Sequence, residues 1–364
     1  RPPETNDGRT YDSFVKGPYA SYVRADNNRK IPNAFDGLKV VQRKILYTFL
    51  KKKYKSEQKV AQMAGIIAKE TQYHSGEDNI SKAMINMAQD FVGSNNLPLL
   101  KANGQFGTRH CGGNDHAASR YIYTEMQDYV SHVFPEADLP VLEYTPVDGH
   151  LVEPDEFVPI IPWVLVNGIC GLGTGWVSDI PQHDPIKIIQ WIRSRLKGGV
   201  WTGLDSMVWT RGHHGHYSRD ADGKLYSHGV YTTDGTTLTI SELPVGVWTE
   251  KIEHQLKNPK SKLEFSKLEE SHTDTTVHFV IRGITNMDKM VGALKLKKLV
   301  RENYVVFENG NIVTKPIKEI MNSHMQKRME LYGKRKLYLL NQLKEEEKEM
   351  SDKLRFIEAC IAGK

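Results

Sequence analysis

Cysteine is scarce. Cys111, Cys170 and Cys360 are the only three in 364 residues, and no pair has CxxC spacing. That excludes a disulfide-framed fold and a zinc ribbon, and it fits a reducing compartment. Long apolar runs are missing as well. No stretch reaches the roughly 18 apolar residues that a membrane-spanning helix needs. The opening RPPETNDGRTYDSF has neither an initiator Met nor an apolar signal region, so it reads as an interior cut and the chain as a fragment. Internal repeats and low-complexity tracts are absent. Acidic residues thin out in one place: between 37 and 59, Glu57 is the only one.

What is there is a chain with 39% apolar and 26% charged residues, long enough for two or three domains. Net charge is +5, which permits a nucleic-acid partner without requiring one. Apolar spacing predicts a short helix near 11–23 and then three helices at 38–53, 56–70 (with Ser56 as N-cap) and 77–91. The last two flank the tight turn YHSG, a helix-turn-helix pattern. Lys39, Arg43, Lys44, Lys51, Lys52, Lys53, Lys55 and Lys59 crowd this stretch, behind Arg29 and Lys30. So unbalanced a positive face suits phosphate contacts, although a solvated helix face reads equally well. Residues 92–118 read as an ordered, wing-like loop, and helix is predicted again at 117–134. A mixed α/β region follows from about 150–160, with β-like segments PIIPWVLVNG, TTLTISELP and TVHFVIRG and a helix at 184–196. From about 316 one long helix carries Leu339, Leu343, Met350, Leu354, Ile357 and Ile361 at coiled-coil spacing, with no partner helix in this chain.

Three short stretches carry the chemistry. In NGICGLGTGW, Gly168, Gly171, Gly173 and Gly175 surround Leu172, and Trp176 breaks a GxGxxG fingerprint. Leu172 is either packed in a tight turn or projected as an apolar wedge between base steps. His213, His214, His216 and His228 have no cysteine nearby and no i, i+4 pair, so no metal site is assigned. Finally, Arg120-Tyr121 follows the small residues of CGGNDHAAS. A phenol ionises near pH 10, so a nucleophilic tyrosine needs a cation beside it, which an arginine supplies. On the pair alone, a packed aromatic is the simpler reading.

Together these pieces resemble the eukaryotic-type type IIA DNA topoisomerases. The matching stretches include NRKIPNAFDGLKVVQRKILY, QYHSGE, QDFVGSNNLPLL, GQFGTRHCGGNDHAASRYIYTE, PIIPWVLVNGICGLGTGW, TISELPVGVWTE and HTDTTVHFVI, in the family's order. The resemblance implies an α+β multidomain fold: a winged-helix DNA-binding and cleavage domain (1–158), a mixed α/β tower domain (159–316) and the first arm of an antiparallel coiled coil (317–364). It implies that Tyr121 is the nucleophile and Arg120 its transition-state partner. Arg29, Lys39, Gln42, Arg43, Lys44, His74, Ser75, Arg109 and Leu172 fall at DNA-contacting positions, Leu172 at that of the intercalating residue. The activity implied is an ATP-hydrolysing type II topoisomerase, a homodimer that cuts one duplex and passes another, with no membrane partner. A winged-helix DNA-binding protein with a coiled-coil dimerisation arm and no enzymatic activity is the rival reading, and a bacterial-gyrase-like relative is disfavoured by SELPVGVWTE.

Two departures stand out. Ser75 follows His74 where relatives carry a second histidine, and the wedge is Leu in place of Ile. The divergence suggests an enzyme of a large DNA virus; location is then intracellular, nuclear if cellular and host-cytoplasmic if viral. No Walker motif or acidic EGD…DxD cluster is present, so Mg²⁺ and ATP are expected to bind outside this chain.

Overall fold

The computed structural model describes residues 10–54, 56–147, 149–200, 203 and 207–363. Lys55 of the basic cluster and the first nine residues lie outside them. The predicted short helix near 11–23 runs further: Tyr11–Phe14, a π-helical turn Val15–Tyr19 around Pro18, and Ala20–Lys30 follow one another. The three predicted helices form at Val40–Lys52, Val60–Glu70 and Glu77–Ala88. The second starts later than Ser56 suggested, because Gln58–Lys59 is drawn out as strand β1.

The helix expected over 117–134 is not formed. Ile122 and Thr124 are buried while Tyr121 and Tyr123 are exposed, a period of two that only a strand satisfies. Tyr123–Thr124 is strand β2, antiparallel to β1, and only Val130–Val133 turns helical. PIIPWVLVNG likewise forms a short helix, Trp163–Val166, not a strand; all four of its side chains are buried.

Downstream, Ile169–Gly173 (β3) and Trp176–Ile180 (β4) make a hairpin. Helix Pro185–Leu196 follows, N-capped by Asp184. Three strands, His216–Arg219 (β5), Leu225–His228 (β6) and Lys297–Val300 (β11), make one antiparallel sheet in the order β11-β6-β5. A second sheet has the order β7-β8-β10-β9, built from Val230–Asp234, Thr237–Glu242, Phe279–Arg282 and Lys267–Glu270. Helices Thr249–Lys257 and Met287–Leu294 cover it with Ile252, Leu256, Met290 and Leu294, giving a small core of its own with Ile240 and Phe279. Hairpin Val305–Glu308 (β12) and Asn311–Thr314 (β13) precedes helix Ile317–Ile361.

The larger core runs without a break from Phe35 and Ile45 through Met63 and Met84 to Trp163, Trp191 and Ile320. It therefore crosses residue 158, and the root of the long helix belongs to it. Among the described residues no helix is long and apolar enough to cross a membrane.

Candidate nucleic-acid interface

Tyr121 closes a turn, its N–H donating to the Ala118 carbonyl at 2.9 Å, two residues before strand β2, in a segment held on both edges. On one side, Tyr123 and Asn103 exchange backbone hydrogen bonds at 3.0 and 3.1 Å, and Lys101 N–H donates to the Glu125 carbonyl. On the other, Val60 N–H donates to the Ile122 carbonyl and Ala61 N–H to that of Ser119. Ile122 points into the core; Tyr121 points out and is 67% exposed. The Arg120 guanidinium lies 5.0 Å from the Tyr121 ring centre, within cation–π range. Tyr129 is the opposite case: its hydroxyl donates to the Pro98 carbonyl, and burial raises its ionisation above the ordinary range. A packing tyrosine in this fold looks like Tyr129. Tyr121 is a rigidly mounted, solvent-facing phenol with a cation against it.

A second group forms where the β3–β4 hairpin lies against helix 20–30. A Cβ on Gly171 would sit 2.4 Å from the Lys30 carbonyl oxygen, and one on Gly173 would sit 2.2 Å from Asn27 Oδ1. Both glycines are therefore set by the approach of the helix. Leu172, between them, faces the other way and is 65% exposed. The turn is tied down by Thr174, whose Oγ1 donates to Asp26 Oδ2 at 2.7 Å and whose carbonyl accepts from Asn27. The Lys30 ammonium and the Thr174 hydroxyl hold the Asp26 carboxyl below the usual carboxylate range. Arg29 keeps its side chain 56% exposed, 3.6 Å from Asp26. Lys39 lies at the start of helix 40–52, where its N–H donates to Gln42 Oε1; burial pushes its ammonium below the usual lysine range despite the nearby Cys170. Gln42 also lines a cleft of about 810 Å³ with Cys170, Asp179 and Arg301.

Three cations expected to contact DNA are buried in ion pairs here. Arg43 Nε donates to Asp36 Oδ2 at 2.7 Å, and Asp36 also caps Phe157 N–H. Lys44 donates to the Thr71 carbonyl and to Glu153. Arg109 pairs with Glu242, 133 positions away. Burial opposes ionisation of Glu242, but Arg109 wins and its carboxyl is held below the ordinary value. Sequence reasoning missed all three carboxylates: Asp36 is only seven positions from its partner, but Glu153 and Glu242 lie more than 100 positions from theirs. His74 and Ser75 are exposed in the turn before helix 77–88, where the Ser75 carbonyl accepts from Asn79. Of the four clustered histidines, His216 and His228 stack at 4.3 Å across the β5–β6 hairpin.

Comparison with known proteins places this geometry. The family model for the A-subunit of DNA gyrase/topoisomerase IV matches residues 29–364. DNA topoisomerase 2, mitochondrial, of Dictyostelium discoideum is 36% identical over 98% of this chain and 28% of its own length. DNA topoisomerase 2-alpha of Mus musculus is 37% identical over 98% of this chain and 24% of its own. The chain thus spans about a quarter of the length of these relatives. The crystal structure of the Plasmodium falciparum topoisomerase II DNA-binding, cleavage and re-ligation domain superposes with a TM-score of 0.90 at 32% identity, covering 97% of this chain and 50% of that one. A family model spanning nearly the whole chain, over an α+β fold shared with a topoisomerase II domain, leaves one assignment: this chain belongs to the DNA gyrase/topoisomerase IV A-subunit family of type IIA topoisomerases.

Proposed function

We propose that this chain is the breakage-and-reunion core of a type II DNA topoisomerase, working as a homodimer on double-stranded DNA. The observation that carries the reading is the exposed Tyr121 with Arg120 against its ring, in the turn that leads into strand β2, a segment bonded on both edges. In this mechanism Tyr121 Oη attacks the scissile phosphorus and the bond to the 3′-oxygen breaks. The phenol proton passes to solvent, the 3′-oxygen takes one up, and the tyrosine keeps the 5′-phosphate. The ester conserves the phosphodiester's energy, so the 3′-hydroxyl reverses the step without a nucleotide. Arg120 neutralises charge developing on phosphorus. Another duplex passes while the break is open.

Arg29, Lys39, Gln42, His74 and Ser75 are proposed to touch the cut duplex, with Leu172 inserted between base steps. Arg43, Lys44 and Arg109 would support them from beneath through their carboxylate pairs. The functional division proposed is 1–158 for cleavage, 159–316 for the tower and 317–364 for the coiled-coil arm. The exposed apolar row on that arm would meet a second helix. A DNA substrate goes with an intracellular location.

The family also implies Mg²⁺ and ATP. Mg²⁺ takes oxygen ligands. Among the described residues, the one grouping of three or more cation-binding side chains is His110, Glu253 and His272, which offers two nitrogens. These residues do not fit Mg²⁺, so no step is routed through it; Mg²⁺ and ATP are proposed to be bound by residues outside this chain.

The test is Tyr121→Phe in the enzyme that carries this chain, with denaturant trapping of the protein–DNA adduct. The adduct should vanish while DNA binding stays. An adduct at wild-type level would remove Tyr121 from the chemistry, and wild-type protein that binds DNA but never forms an adduct would return the chain to a non-enzymatic DNA-binding role.

A further inference from the structure

His110, Glu253 and His272 come from three separate segments: the loop before Arg120-Tyr121, helix 249–257 and the turn between β9 and β10. Glu253 Oε1 lies 3.5 Å from His110 Nδ1 and 2.9 Å from His272 Nε2, and the three donor atoms fall within 4.8 Å of one another. The two imidazoles stack with centroids 5.4 Å apart. Glu253 Oε1 is buried, touches both rings, and is in line for a hydrogen bond with neither. Its other oxygen faces Lys257 at 3.8 Å, leaving Oε1 for whatever lies between the rings.

We propose that His110, Glu253 and His272 form a three-ligand site for a borderline transition-metal cation of the Zn²⁺ class. Two imidazole nitrogens and one carboxylate oxygen are the donors such an ion takes, at about 2.0–2.2 Å each. In tetrahedral geometry those donors would stand about 3.3 Å apart, so closing the site from its present spacing needs only side-chain rotation of about an ångström. A fourth position stays open to water. The ion would act as a bolt across a joint. Glu250 N–H already donates to the His110 carbonyl at 3.1 Å, and a Cβ on Gly112 would strike the Trp248 ring at 2.3 Å, so the loop lies flat on the start of helix 249–257. Bound metal would fix the loop that leads into Arg120-Tyr121 against the smaller core.

The experiment titrates the full, chelator-stripped chain with Zn²⁺ by calorimetry, with Co²⁺ as a spectroscopic probe and Mg²⁺ as a contrast. Wild type should bind one equivalent of Zn²⁺ through this site and show visible Co²⁺ bands of a nitrogen-containing, low-coordinate site. Glu253→Gln, which keeps shape, and His272→Ala should each weaken Zn²⁺ at least about tenfold, while His228→Ala, in the other histidine cluster, should not. Zn²⁺ should also slow hydrogen exchange of the 109–113 amides in wild type and not in Glu253→Gln. Equal Zn²⁺ affinity in wild type and both variants, no binding at all, or equal binding of Mg²⁺ overturns the site. Binding that leaves the 109–113 amides unchanged overturns the bolt.

Discussion

At the scale of single residues, charge alone is a poor guide to exposure. Arg29 and Arg43 look alike in the sequence, both basic and both inside the matching stretch NRKIPNAFDGLKVVQRKILY. One is half exposed; the other is locked beneath the surface by Asp36. The Asp36 pairing has a local trace, since NAFDG lies seven positions before Arg43, but Glu153 and Glu242 have none. Two expected outcomes follow. Arg29→Ala should weaken binding to unrelated DNA sequences about equally and lower the salt slope by about one unit, measured by affinity against salt concentration. Glu242→Gln strands the Arg109 charge in a buried site. It should cost about 3–5 kcal/mol in denaturant unfolding, and a further Arg109→Met should recover much of that loss. No loss in the single variant would mean that Arg109 finds water or another partner.

Secondary-structure elements are legible where one periodicity dominates. Helices 40–52 and 185–196, the long C-terminal helix and strands β8 and β10 fall where the patterns put them. The tyrosine segment misleads because its neighbours decide it. Residues 122–127 are extended only because Leu99–Asn103 and the start of helix 60–70 bond to both edges, contacts made from 20 or more positions away. The Gly-Leu-Gly hairpin is half legible. Its glycines read as turn formers, whereas they are required by the helix behind them. This separates two variants. Gly171→Ala meets a backbone oxygen, so it should push the hairpin off helix 20–30 and cost about 1–3 kcal/mol of stability. Leu172→Ala faces solvent and should leave stability within about 0.5 kcal/mol, while reducing DNA bending measured by end-to-end fluorescence transfer. If Leu172→Ala bends DNA as wild type does, Leu172 is no wedge.

At the scale of the whole molecule, two histidines in distant parts of the larger unit set a common acid limit. Burial holds His183 and His324 down to about 4, from an ordinary 6.5. Each ring contacts a carbonyl oxygen, that of Leu165 and that of Pro159 respectively. Since the folded value lies below the unfolded one, the unfolded chain takes up protons first as pH falls through 6.5. Stability is thus full above that point and is lost down to about pH 4, by on the order of 1 kcal/mol per pH unit for each ring. Unfolding midpoints measured between pH 7 and 4 should fall steadily, and His183→Gln should flatten part of the slope. A midpoint independent of pH would exclude both rings.

The long helix adds a mechanical consequence. Its root, from Ile317 to Leu331, is clamped in the larger core, where Arg328 pairs with Asp138; beyond it none of the described residues is buried. Arg335 also pairs with Asp138, and beyond it roughly 26 residues project for about 40 Å. A pivot of about 5° at the root therefore sweeps the far end through about 3.5 Å. Packing shifts too small to notice in the larger core would arrive at Ile361 as displacements the width of a side chain, the geometry of a lever with its fulcrum at the helix root.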